Sequence, residues 1–223
     1  MTDETPIVLV VDDDPSVCTS IKRLLNTAGH QVKTSSTSSG TKQLFANGRP
    51  DAPCCMILDV RMPGCDGMSL HDELVNSGIH VSTIFLTGHG DIPMSVRAMK
   101  SGAADFMLKP YEPSELLASV KAALESDSRS LSDRRHRAEI RRRYETLTAR
   151  EREVLVAVAS GMLNKQVAYQ FGISEKTVKV HRAHVMEKMG ATAPADLVRM
   201  ADLLRLPCTR DEESAMPQAA SFC

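Results

Sequence analysis

Three aspartates, a threonine and a lysine stand where the apolar runs of this 223-residue chain break off. Residues 7–11 end in Asp12-Asp13-Asp14-Pro15, and Cys55-Met56-Ile57-Leu58 stops at Asp59, with Arg61, Pro63 and Gly64 close behind. Residues 81–86 run into Thr87-Gly88, and Phe106-Met107-Leu108 into Lys109-Pro110. Clustered carboxylates repel one another unless a cation sits among them, and oxygen donors of this kind suit a hard divalent ion such as magnesium. With a metal and Lys109 neutralising part of the charge, Asp59 can act as a nucleophile toward phosphorus, while Thr87 and Lys109 bind phosphoryl oxygens. Taken singly, each residue reads as an ordinary strand end, Asp59 as the cap of a turn. Their repetition over four strand ends points to a site.

The elements that must position these groups alternate. After the first apolar run, Asp14 as N-cap and Pro15 at the first helical position open a helix to Ala28, with Val17, Ile21, Leu24 and Leu25 on its buried face and Gly29 ending it. A strand over 31–34 and a helix through Leu44 and Phe45 lead to the strand that ends at Asp59. A helix over 68–76, a strand over 81–86, a helix over 93–101, a strand over 106–108 and a helix from Ser114 onward follow. Five continuous apolar strands separated by helices predict a doubly wound α/β domain, a parallel sheet covered on both faces. In such a sheet the functional groups gather beyond the carboxyl ends of the strands.

The rest of the chain is of another kind. Residues 1–124 hold ten basic and fourteen acidic side chains, whereas residues 125–206 hold sixteen and eleven, so an acidic half is joined to a basic one. Residues 125–144 are charged and poor in large apolar side chains, which predicts a linker with a solvated face, able to extend the preceding helix. Thr148 and Glu151 form a capping box for a helix that stops near Ser160-Gly161. A short helix over 164–171, the turn Gly172-Ile173-Ser174 and a helix over 175–189 make a helix-turn-helix signature. The last of these places Val178, Val185 and Met189 inward and Lys176, Lys179, His181 and Arg182 outward, a basic face suited to the major groove of DNA. Charge alone would also suit a solvated amphipathic helix; the turn and spacing favour DNA. A final helix over 193–204 carries Leu197, Met200, Ala201 and Leu204, a stripe available for core packing or dimerisation.

No apolar run reaches the roughly 20 residues of a membrane span, and the N-terminus MTDETP lacks the features of a signal peptide, so a cytoplasmic protein without membrane contact is expected. The six cysteines, Cys18, Cys54, Cys55, Cys65, Cys208 and Cys223, show no CxxC spacing and read as reduced thiols. Residues 207–223 show no periodicity and are expected to form a disordered tail.

The motifs VVDDD at 10–14, ILDVRMPG at 57–64, LTGHGDIPM at 86–94 and Lys109-Pro110 resemble the receiver domain of two-component response regulators over residues 6–124. The LTAREREVL opening, the NKQVA stretch and SEKTVKVH resemble the LuxR/FixJ-type four-helix DNA-binding domain over about 145–205. The resemblance implies a five-stranded flavodoxin-like receiver (1–124), the linker (125–144) and an all-α helix-turn-helix domain (145–206). It also implies that Asp59 accepts phosphate from a sensor histidine kinase, with Mg2+ held by Asp13, Asp59 and the backbone carbonyl of Arg61 and assisted by Asp12. Thr87 and Phe106 would act as the switch, Lys179 and Val180 would approach base edges, and Lys176, Thr177 and Arg182 would reach phosphates. Ala183 stands where some relatives carry a longer polar side chain, so a base contact is not carried over there.

The function these readings predict is a response regulator, not an enzyme, in which phosphorylation promotes homodimerisation and binding to promoter DNA, with RNA polymerase as a further partner. Two alternatives differ in class. A phosphatase using Asp59 would turn over phosphoesters, but Arg61 two residues on leaves no second local carboxylate to act as a general acid. A constitutive DNA-binding protein with a docking receiver would have no need of the acid cluster.

Overall fold

Val8, Val10, Cys55, Ile57, Ile84 and Leu86 bury one face of a parallel sheet under two helices, and Leu9, Val11, Met56, Leu58 and Phe85 bury the other. The computed structural model describes residues 5–88 and 92–207. The chain divides into two units, residues 1–132 and 133–223. In the first, β1 (Ile7–Val11), β2 (Gln31–Ser35), β3 (Cys54–Asp59), β6 (Ser82–Thr87) and β7 (Asp105–Leu108) form one sheet in the order β2-β1-β3-β6-β7. Every pairing is parallel. The chain doubles back once, β1 lying between β2 and β3, and the ends of β1 and β3 flank the crevice at that reversal.

Around the sheet run α1 (Pro15–Thr27), α2 (Ser38–Leu44), α3 (Gly67–Asn76), α4 (Ile92–Lys100) and α5 (Pro113–Glu145). Asp14 caps α1 as its spacing predicted, accepting the Ser16 N–H at 2.8 Å. Between β3 and α3 the predicted Pro63-Gly64 turn is a small hairpin, β4 (Arg61–Met62) against β5 (Cys65–Asp66), with Gly64 at φ 77°.

The second unit comprises the end of α5 with α6 (Ala149–Ala159), α7 (Asn164–Phe171), α8 (Glu175–Met189) and α9 (Pro194–Leu204). Its core joins Ile140, Leu147, Val154, Leu155, Val158, Val167, Val178, Val185, Met189 and Leu197. The Thr148–Glu151 capping box forms, and Gly172 at φ 64° closes α7 in the left-handed conformation that glycine adopts without steric penalty.

One expectation needs correction. The charged stretch 125–144 extends the preceding helix, as its composition allowed, but it is not a solvated face alone. Asp127 and Leu131 are buried in the first unit, and Ile140 in the second, because a helix exposes only part of its circumference once flanking elements pack on it. The guanidinium of Arg49 pairs with Asp127, donating from Nη1 to Oδ1 at 2.9 Å and from Nη2 to Oδ2, and the Cys54 N–H also donates to Oδ2, at 2.7 Å. The tail expected beyond Pro207, with Cys208 and Cys223, lies outside the described residues, as do residues 89–91 of the LTGHGDIPM motif. No described helix is long and apolar enough to cross a membrane.

Candidate functional site

At the carboxyl ends of β1, β3 and β7 the structure brings Asp12, Asp59 and Lys109 into direct contact. Lys109 Nζ donates to Asp12 Oδ2 at 2.6 Å and to Asp59 Oδ2 at 2.8 Å. Backbone amides take the other oxygens: Asp14 N–H to Asp12 Oδ1 at 3.0 Å and Arg61 N–H to Asp59 Oδ1 at 3.1 Å. Asp12, Asp13 and Asp59 each offer a carboxylate oxygen within 4.8 Å of the others, with Asp13 exposed and the other two buried. Burial pushes the Asp12 carboxyl above its usual range, only partly countered by its bond to Lys109. Burial also pulls on Lys109, but its bonds to both acids outweigh that and raise its pKa.

Two of the three carboxylates thus share one ammonium contact, and together the three present hard oxygen donors from a half-open site. That donor set fits a divalent cation of the magnesium kind. Thr87, fully buried, ends β6, and its carbonyl accepts the Lys109 N–H at 2.8 Å, which ties the threonine's strand to the lysine's. Phe106 is half-buried on β7, beside Phe85 of β6 in the sheet register and packed on the core. Arg61 is exposed, with its backbone in the hairpin directly after Asp59.

Reading the sequence for chemistry missed Gly67, the first residue of α3. A Cβ there would lie 2.0 Å from the Asp59 carbonyl oxygen and 3.1 Å from Val60 Cα, while the Gly67 N–H donates to the Val60 carbonyl at 2.8 Å. The helix therefore starts in contact with the backbone that aims Asp59. The sequence signal was a glycine placed directly after the N-cap Asp66, where a better helix former would otherwise serve. Gly67→Ala forces a backbone shift, and we expect a loss of about 1–3 kcal/mol by denaturant unfolding, with slower uptake of a phosphoryl group from acetyl phosphate. Unchanged stability would show that the strand yields freely.

In the second unit, α8 turns Val178, Val185 and Met189 fully inward, as the spacing predicted. Lys176, Thr177, Lys179 and Val180 are exposed, and Ser174 caps the helix by accepting the Thr177 N–H at 3.1 Å. Arg182 departs from the outward placement expected of it: it is half-buried and donates to Asn164 Oδ1 of α7 at 2.9 Å. On another flank of α8, Lys188 Nζ donates to Glu151 Oε2 at 2.7 Å, and His184 Nδ1 lies 3.7 Å from Oε1. At its end, Arg143 Nη1 donates to the Met189 carbonyl at 2.9 Å, and a Cβ on Gly190 would meet that guanidinium. The recognition-type helix is thus braced by α5, α6 and α7.

Glu151 carries a pH consequence. The Lys188 bond and the Thr148 N–H hold its carboxyl down at about 2, against an ordinary value of 4.5. Because the folded value is the depressed one, the stability it contributes is complete above the unfolded pKa and is lost as pH falls from about 5 toward 2. Thermal melts of the full chain should show the second unit weakening over that window, and Glu151→Gln should flatten that part of the profile while lowering stability at neutral pH. An unaltered acid profile in the variant would rule out this assignment.

Comparison with known proteins gives two family matches. Residues 8–121 match the response regulator receiver domain, and residues 145–201 match the bacterial regulatory proteins of the luxR family. Nodulation protein W of Bradyrhizobium diazoefficiens is 43% identical over 93% of this chain and 90% of its own length. The transcriptional regulatory protein FixJ of Azorhizobium caulinodans is 43% identical over 87% of this chain and 90% of its own. A solved structure of the response regulator StyR superposes with a TM-score of 0.77 at 38% identity, covering 89% of this chain and 98% of that one. The acid pocket at the sheet's switch point and the braced helix-turn-helix thus fall within the two matched regions, and the chain belongs to the FixJ-like response regulators of two-component systems, transcription regulators that join a receiver domain to a LuxR-type DNA-binding domain.

Proposed function

We propose that Asp59 is the phosphoacceptor and that its phosphorylation by a sensor histidine kinase drives homodimerisation and promoter binding. The observation that carries this reading is the contact of Lys109 with both Asp59 and the buried Asp12. In the transfer, a carboxylate oxygen of Asp59 attacks phosphorus, the new P–O bond forms as the donor's P–N bond breaks, and the electron pair leaves on the imidazole nitrogen. Lys109 and Thr87 bind the phosphoryl oxygens. Asp12, Asp13, Asp59 and the Arg61 carbonyl would hold Mg2+, which when bound offsets the negative charge of the incoming phosphoryl group.

Thr87 and Phe106 form the switch. Thr87 moves toward the phosphate, and Phe106, already half-buried, fills the space behind it. Residues 1–124 then act as the phosphoacceptor domain, 125–144 as the helical connection and 145–206 as the DNA-binding domain. Supporting the pairing of two copies, Ile92 and Met99 of α4 and Leu108 of β7 are 80%, 52% and 52% exposed, large apolar side chains that gain from mutual burial. In α8, Lys179 and Val180 approach base edges while Lys176, Thr177 and Arg182 contact phosphates, so two copies read two half-sites. The protein acts in the cytoplasm and activates transcription through RNA polymerase.

The test is light-scattering mass with Mg2+ and acetyl phosphate, beside intact-protein mass. One phosphoryl group per chain and a doubled solution mass are expected. Continuous turnover of a generic phosphoester, or a label without any change of mass in solution, would overturn the reading.

A further inference from the structure

Asn164, the first residue of α7, has no role in the function described so far, yet its side chain reaches across to α8. Its Oδ1 accepts from Arg182 Nη1 at 2.9 Å. Arg182 is half-buried, and among the described residues its one hydrogen bond is this one from Nη1, which leaves Nε and Nη2 without a protein partner. A guanidinium is a planar fork whose edges each present parallel donors, so fixing it through Nη1 leaves Nε and Nη2 as donors for a phosphate. A free arginine loses about 2 kcal/mol of rotamer freedom when it is immobilised, and one already held loses less on contact. Lys165, beside Asn164, and Lys179, one turn before Arg182, are both exposed and add positive charge near these two residues.

We propose that Asn164 is a positioning residue for DNA recognition, presenting Arg182 to one backbone phosphate of the duplex so that the two side chains act as a unit. The proposal rests on the reading of α8 as the DNA-facing helix. A bond that only braced α7 against α8 would affect stability without changing the number of phosphates neutralised, and that number can be measured. Each neutralised phosphate contributes about 0.9 to the slope of log affinity against log salt. Losing one makes the fall in affinity between about 50 and 200 mM NaCl roughly 3.5-fold smaller.

The experiment uses the full chain, activated with Mg2+ and acetyl phosphate, and fluorescence anisotropy of a labelled random-sequence duplex over that salt range. Arg182→Ala, Asn164→Ala and the near-isosteric Asn164→Leu should each lower the slope by about 0.9, and Asn164→Ala/Arg182→Ala should lower it no further. Thermal melts of the same proteins separate a lost brace from a lost contact, with Asn164→Leu serving if the alanine variant melts early. The proposal fails if both Asn164 variants keep the wild-type slope, if the double variant adds the two effects, or if Arg182→Ala alone changes nothing. A wild-type protein whose binding ignores salt, with Lys179→Ala equally without effect, would instead sink the underlying reading of α8.

Discussion

Asp59→Asn should leave the protein without any acyl-phosphate label and fixed in its unphosphorylated association state, whatever the concentration of phosphodonor. The substitution is close to isosteric. It keeps one oxygen, which can accept from either the Arg61 N–H or Lys109 Nζ, but it sets an amide NH2 against the other donor. A modest loss of stability is therefore expected, and the nucleophile is removed altogether. Phosphate adds about −1.5 to −2 charges with three acceptor oxygens, and it shifts the domain only through its differential affinity for two conformations. Driving an equilibrium from 1:99 to 99:1 takes about 5.5 kcal/mol of that difference, so without the label the change in solution mass should vanish rather than weaken. Intact-protein mass and light scattering on the two proteins check this. Stoichiometric labelling of the variant would place the nucleophile elsewhere in the cluster, at Asp12 or Asp13.

Asp127→Ala should produce the largest loss of stability of the substitutions considered. It removes both acceptors of the Arg49 pair and the partner of the Cys54 N–H at the start of β3. The Arg49 side chain is only 12% exposed, and breaking a buried pair by removing one partner typically costs about 3–5 kcal/mol. Arg49 keeps the His80 carbonyl at 2.8 Å, which places the expected loss toward the lower end, about 3 kcal/mol. Urea unfolding of the full chain should show the transition of the first unit moving down by on the order of 1 M, with that of the second unit unmoved. Removing Arg49 as well should recover part of the loss, since no buried cation is then left unpaired. A shift below about 0.5 kcal/mol, the range of ordinary surface substitutions, would mean that solvent reaches the pair.

Much of this molecule was legible in the order of its residues. Continuous apolar runs and period-3.6 patterns are local, so the strands ending at Val11, Asp59 and Thr87 and the helices capped by Asp14, Thr148 and Ser174 stand where the residues put them. The acid cluster was legible for a related reason: in a parallel sheet every strand delivers its carboxyl end to the same edge, so residues distant in sequence converge without further information. Asp12, Asp59 and Lys109 could be grouped on that geometry alone.

What the tertiary structure decided were the partners of polar side chains on helices. Composition marked residues 125–144 as solvated, yet Asp127 is buried against Arg49, and Arg143 caps α8 from the end of the same helix. Arg182 read as one more outward cation until Asn164 was found holding it. Gly67 drew no notice in a helix expected from residue 68, yet the Asp59 carbonyl fills the space where its Cβ would be. Periodicity reports which face of an element avoids water, because that depends on neighbours three or four residues away. It cannot report which distant donor meets which acceptor, since that is settled only when separate elements pack and each buried charge must find a partner.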